Sequence, residues 1–183
     1  MKYSLEDLIN RTNKGERLKY IYFWGHQPNK EGVITHSCFS QWWMEEFKVK
    51  GIIYKTAEHW MMARKAELFQ DMEICEKIIQ AKTPGEAKDL GRMVAGFHQE
   101  KWEEARFEIV VEGNYHKFSQ HPKLKEFLLR TQDRILVEAS PVDTIWGVGL
   151  TKDSDKITNP EEWRGLNLLG FALMEVRDKF NEE

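Results

Sequence analysis

Tyr54 to Ala66, YKTAEHWMMARKA, is where the chain changes character. Before it, short apolar pieces (CFSQWW, EFKV, IIY) surround the turn-like Gly51, a pattern of short strands or a hairpin. From Thr56 the spacing becomes helical: Thr56 suits an N-cap, and Ala57 to Phe69 contains neither Gly nor Pro. Helices continue on the C-terminal side. Met72 to Ala81 places Ile74, Ile78 and Ala81 on one face, and Thr83-Pro84-Gly85-Glu86 is a capping box that opens a third helix. Gln99 to Ser119 reads as a long helix with Trp102, Ala105, Ile109 and His116 along one side and a bend or break at Gly113-Asn114. His121-Pro122 opens a shorter one carrying Leu124, Phe127 and Leu128. Gly165 to Phe180 closes the chain with the stripe Leu166, Leu169, Leu173, Val176, Phe180.

On the N-terminal side the strand content is small. Lys19 to Trp24, KYIYFW, reads as a strand and is followed by the polar loop GHQPNKEGVITHS; Arg134 to Ala139, RILVEA, is the other clear strand. Strands and helices do not alternate as βαβ units. The expected fold is therefore α+β, one mainly helical domain over residues 19–183 with a few short strands, behind a polar lead-in over residues 1–18.

Composition narrows the function. Of 183 residues, 41% are hydrophobic, with 10 Phe, 7 Trp and 5 Tyr, which supplies a core and excludes a disordered chain. Against 27 basic residues stand 30 acidic ones, so no overall positive field attracts nucleic acid, and a local patch would be required. Two cysteines, Cys38 and Cys75, make neither a metal quartet nor a disulfide scaffold; reduced thiols in a cytoplasmic protein are expected. The opening residues carry acids and no apolar segment, so no signal peptide is read there, and no run of about 18 apolar residues predicts a membrane span.

Common catalytic signatures are missing: no GxGxxG, P-loop, GxSxG or HExxH occurs, and six scattered histidines show no ligand spacing, so no metal is expected. Three groups of polar residues among aromatics remain. Glu58 lies in the first helical turn after Thr56, where the dipole favours an acid, or it is a carboxylate held at a cleft with Lys65 two turns along for an anion. Arg64 and Lys65 read equally well as a solvated face. Gly91-Arg92 and Trp102 form a second group, with Trp102 either core or a ring that stacks on a planar base. The third is Glu138 to Leu150, EASPVDTIWGVGL, after a strand; Asp143 either caps a turn or serves beside Trp146-Gly147 as a carboxylate next to an indole.

These motifs, taken in order, resemble the NADAR (YbiA-like) family. The resemblance rests on FWG (Phe23 to Gly25), SQWW (Ser40 to Trp43), YKTAEHWMMARKA, LGR (Leu90 to Arg92), KF (Lys117, Phe118), LLRT (Leu128 to Thr131), VEASPVDTIWGVGL (Val137 to Leu150) and GLNLLGFALMEVRD (Gly165 to Asp178), and it covers roughly residues 20 to 180. It implies a compact, mainly helical α+β fold, no cofactor and no metal, and hydrolysis of an N-glycosidic bond. Carried over by position, the family's catalytic glutamate falls on Glu58 and its DxxWG motif on Asp143, Trp146 and Gly147. Trp102, Lys65, Arg92 and the late Gly165 and Asn167 match its remaining motif residues. Two departures stand out: Trp60 where some members carry Tyr, and a long LTKDSDKITNPEEWR stretch where small members have a short link.

The resemblance implies Glu58 and Asp143 as catalytic residues, with Trp102, Trp146, Gly147, Lys65, Arg92 and Asn167 binding substrate. Positive charge grows at C1′ of the ribose as the base departs, and Glu58 would stabilise it and activate water. The first substrate class is a ribosylamino-pyrimidine 5′-phosphate of riboflavin synthesis. The alternatives are an ADP-ribosyl-guanine glycosidase and a non-catalytic binder of ADP-ribose or a nucleotide. The acidic balance favours a small phosphorylated ribosyl-base substrate over modified nucleic acid, with no membrane partner.

Overall fold

The structure, a computed structural model, describes residues 1–27 and 33–183. In chain order the elements are α1 (Leu5–Asn13), β1 (Tyr20–Phe23), a 3-10 turn at His36–Phe39, β2 (Phe47–Val49), β3 (Ile52–Tyr54), α2 (Ala57–Leu68), α3 (Met72–Gln80), α4 (Pro84–Arg92), α5 (Gln99–Gln120), α6 (Pro122–Leu129), β4 (Ile135–Glu138), a 3-10 turn at Pro160–Glu162, and α7 (Leu168–Glu182). This is the mainly helical α+β class, with few and short strands. They group into two compact units, residues 1–40 with 123–183, and residues 41–122.

In the first unit, β1 and β4 pair in parallel from Tyr20↔Ile135 to Phe23↔Glu138. Ile135, Leu136 and Val137 are all buried, the continuous apolar run of a strand covered on both faces. Among the described residues the outer edge of β4 has no strand partner, and a side chain takes that place. Asn167 Nδ2 donates to the Leu136 carbonyl at 2.9 Å, and its Oδ1 accepts from Glu138 N–H at 3.0 Å. Its left-handed backbone (φ 55°) turns the chain into α7, so the helix begins at Leu168 and not at the expected Gly165. Leu166, expected on the apolar stripe, lies before the helix and is exposed, while Leu169, Leu173, Val176 and Phe180 are buried. A Cβ at Gly170 would overlap the Leu136 carbonyl, so that glycine lets α7 lie directly on β4. Residues 1–18 contain α1, where Ser4 Oγ caps the Asp7 N–H at 3.1 Å; Leu8 is fully buried, Tyr3 Oη donates to Asp178 at 2.7 Å and Asn13 to Glu161 at 3.0 Å, anchors that the composition of this segment conceals. Of the polar loop expected after β1, residues 28–32 lie outside the described residues.

In the second unit, β2 and β3 form the antiparallel hairpin expected before Thr56, turning at Lys50-Gly51, both at positive φ. Thr56 caps α2 through the His59 N–H. Thr83 caps α4 by accepting from Glu86 N–H at 3.1 Å, and Glu86 reaches back to Lys82 N–H at 2.7 Å, one residue before the usual target of a capping box. α5 runs without a break through Gly113-Asn114. Gly113 does not interrupt it and has a packing role: a Cβ would overlap the Trp60 ring, whose Nε1–H donates to the Ile109 carbonyl at 2.8 Å. Gly113→Val should therefore destabilise by about 1–3 kcal/mol through overpacking, read as a shift of the urea midpoint at constant slope. An unchanged midpoint would mean that the Trp60 ring moves aside without cost.

Candidate active site

Glu58 occupies the second position of α2 and is 4% exposed. Its backbone N–H donates to the Gln41 carbonyl at 3.0 Å, so a segment before the hairpin closes the helix end that Thr56 leaves open. The side chain of Gln41 is held in turn: Asn114 Nδ2 donates to its Oε1 at 2.7 Å, and Asn114 also donates to the Val110 carbonyl. His59, next to Glu58, is fully buried. Its Nε2 lies 3.1 Å from the Ala81 carbonyl and its Nδ1 2.8 Å from Thr56 Oγ1. Donation from Nε2–H to that carbonyl leaves Nδ1 to accept from the threonine hydroxyl, which assigns a neutral ring. Burial, the main cause, pushes the imidazole below its usual range and agrees with that assignment. The histidine of the AEH string thus braces the helix start that carries Glu58.

Two turns along α2, about 10 Å by helical rise, is Lys65. Its Nζ donates to the Gly91 carbonyl at 2.8 Å and lies 4.5 Å from the Phe97 ring centroid and 5.7 Å from that of Trp102. Burial, and after it the charge of Arg92, pushes this ammonium below the usual lysine range. Arg92 is exposed and meets Asp89 at 3.3 Å. The structure therefore brings Lys65, Arg92 and Trp102 together, with Trp102 only 9% exposed and its ring beside the ammonium.

The other group lies in the first unit. Asp143 Oδ1 accepts from the N–H of Ile145 at 2.9 Å, Trp146 at 2.7 Å and Gly147 at 3.4 Å, and the Asp143 N–H donates to Ser140 Oγ. One carboxylate oxygen thus shapes the whole turn. Gly147 is buried, and a Cβ there would come within 2.8 Å of the Glu138 carbonyl. Trp146 is half-buried, and its carbonyl accepts from Leu169 N–H, which ties the turn to α7. Asn167 has both amide ends on β4, as described above. Asp143, Trp146, Gly147 and Asn167 therefore form a second connected cluster.

Sequence reasoning missed the polar residues buried on α5. The buried side of that helix passes through Trp102, Arg106, Val110, Asn114 and Lys117, while Ala105, Ile109 and His116, which were expected on it, are only half-buried. The four-residue step from Arg106 through Val110 to Asn114 was a legible signal, hidden because two of its members are polar. Gln41, among the aromatic residues of FSQWW, was another. Among the described residues, no three His, Cys, Asp or Glu side chains gather as a metal site would require.

The model of the NADAR domain matches residues 22–181. The chain belongs to the NADAR family. N-glycosidase R617 of Acanthamoeba polyphaga mimivirus is 43% identical over 166 residues, which cover 88% of this chain and 96% of that one. The riboflavin biosynthesis protein PYRR of Arabidopsis thaliana is 38% identical over 109 residues, 57% of this chain and 16% of that longer protein. The solution structure of the E. coli protein YbiA superposes with a TM-score of 0.70 at 26% identity, covering 91% of this chain and 88% of the other. No helix among the described residues is long and apolar enough to cross a membrane.

Proposed function

We propose that this NADAR protein is an N-glycosidase that hydrolyses a ribosylamino-pyrimidine 5′-phosphate, releasing ribose 5-phosphate and the base. The observation that carries this reading is the buried carboxylate of Glu58 on a braced helix start. The names of relatives, N-glycosidase and riboflavin biosynthesis protein, support the reaction and the substrate class. As the C1′–N bond breaks, its electron pair goes to the base nitrogen and positive charge grows on C1′. The Glu58 carboxylate stabilises that charge and takes a proton from the attacking water. The hydroxyl stays on the ribose, and the proton leaves with the base. Lys65 and Arg92 take the phosphate by charge-assisted hydrogen bonds, and Trp102 holds the Lys65 ammonium in place. The assignment of Asp143 and Trp146 to the substrate rests on the family resemblance alone, and Gly147 and Asn167 hold their turn. The step requires no Lewis acid.

Incubation with ribosylamino-pyrimidine 5′-phosphates and, separately, with ADP-ribosylated guanosine tests the proposal. Release of ribose 5-phosphate from the first is expected. Release of ADP-ribose alone would reassign the substrate, and binding without turnover of either would make the protein a binder. Lys65 adds a pH signature. Because its pKa is lowered, the ammonium is lost below the pH at which an ordinary lysine titrates. KM should therefore rise early on the alkaline side, and Lys65→Met should raise KM at neutral pH and flatten that rise. A profile identical in the two proteins would remove Lys65 from phosphate binding.

A further inference from the structure

One residue holds both ends of the peptide unit that leads into Glu58. The N–H of that unit, from Glu58, donates to the Gln41 carbonyl at 3.0 Å, and its carbonyl, from Ala57, lies 3.5 Å from Gln41 Nε2. Gln41 is held in turn by Asn114 on α5. Asn114 Nδ2 donates one hydrogen to Gln41 Oε1 at 2.7 Å and the other to the Val110 carbonyl at 2.9 Å. Both amide hydrogens are therefore committed to oxygens, and a flipped amide would set oxygen against oxygen at both contacts. Asn114 Oδ1 faces elsewhere, and among the described residues this buried atom has no hydrogen-bond partner. Asn114 is fully buried and Gln41 is 6% exposed. Stability alone does not explain such a pair. A buried acceptor without a donor is unfavourable, and two apolar side chains of similar volume would avoid it. What the pair adds is a link from α5 to the first turn of α2, beside the cap that Thr56 already provides.

We propose that Asn114 and Gln41 are positioning residues for the Glu58 carboxylate. Through the Ala57–Glu58 peptide they fix the direction from which the carboxylate meets C1′ and the attacking water. In this role neither amide touches the substrate. The role rests on the reading of Glu58 as the hydrolytic carboxylate. A displacement of about 1 Å at a reacting group can lower a rate about a hundredfold, so such a support acts on kcat far more than on folding.

The test is the paired variant Gln41→Met/Asn114→Leu, assayed on a ribosylamino-pyrimidine 5′-phosphate well below its Tm. Replacing both polar partners leaves neither unpaired, so Tm should stay close to that of wild type. The kcat should fall about tenfold or more, with KM changed by less than about twofold. Gln41→Met alone leaves Asn114 its bond to Val110 and should lower kcat in the same direction, which keeps the test open if the paired variant does not fold. In a Glu58→Gln background the pair should cause no further loss, because the carboxylate it supports is gone. Wild-type kcat in the variants of the pair, beside a Glu58→Gln protein that has lost turnover, would overturn the positioning role and leave the hydrolytic reading standing. So would a raised KM at unchanged kcat, or a loss that adds in full to that of Glu58→Gln. A wild-type kcat for Glu58→Gln itself would remove the hydrolytic reading and the positioning role together.

Discussion

Glu58→Gln should lower kcat by about a hundredfold or more while the protein stays folded, because it removes one preorganised charge from the place where positive charge develops. The alternative role is definite enough to compare. As a first-turn acid alone, Glu58 would contribute about 0.3–1 kcal/mol through the helix dipole, which for a chain of this size is a Tm change of about 1–4 °C, with kcat unaltered. The backbone bond from Glu58 N–H to the Gln41 carbonyl survives the substitution, so the start of α2 keeps its brace. Measuring kcat and Tm on the same preparation separates the two roles. A near wild-type kcat with a slightly lower Tm would make Glu58 a capping residue and end the hydrolytic assignment.

Asn167→Ala should cause the largest loss of stability, about 3–7 kcal/mol. Two hydrogen bonds disappear, and the buried Leu136 carbonyl and Glu138 N–H each lose a partner, at about 1–3 kcal/mol apiece. The left-handed backbone adds about 1 kcal/mol for a residue with a Cβ that lacks the local hydrogen bonding of asparagine. For a chain this size the sum is a Tm drop of about 10 °C or more, a large share of a typical stability of about 5–15 kcal/mol. Asn167→Gly should recover only the backbone part. Thermal melts of the two variants check this, and a wild-type Tm for Asn167→Ala with a raised KM would return Asn167 to the substrate side of the site.

The helical half of this protein was legible from local signals. Thr56 and Thr83 mark helix starts through hydrogen bonds that span three residues, Pro84 does so through its fixed φ, and the hairpin before Thr56 turns at a glycine; such features need no distant partner to be read. The ordered motifs also carried the family and the position of Glu58. What sequence spacing alone could not supply were pairings between residues far apart. The outer edge of β4 is satisfied by Asn167, 29 residues beyond Glu138, and nothing near Asn167 in the chain signals it. The same applies to Gly113, which looks like a helix breaker until Trp60, more than fifty residues earlier, is placed against it. Lys65 read as an anion site or a surface charge and Trp102 as a stacking ring or a core ring; their contact through an ammonium depends on how α2 and α5 pack. The buried face of α5 was misjudged because polarity is a poor guide where a polar side chain has a partner: Asn114 is fully buried on its bond to Gln41, a residue 73 positions away. Local propensity thus set the elements, and the tertiary structure decided which polar groups are satisfied scaffold, because only long-range contacts determine whether a buried donor or acceptor already has its partner.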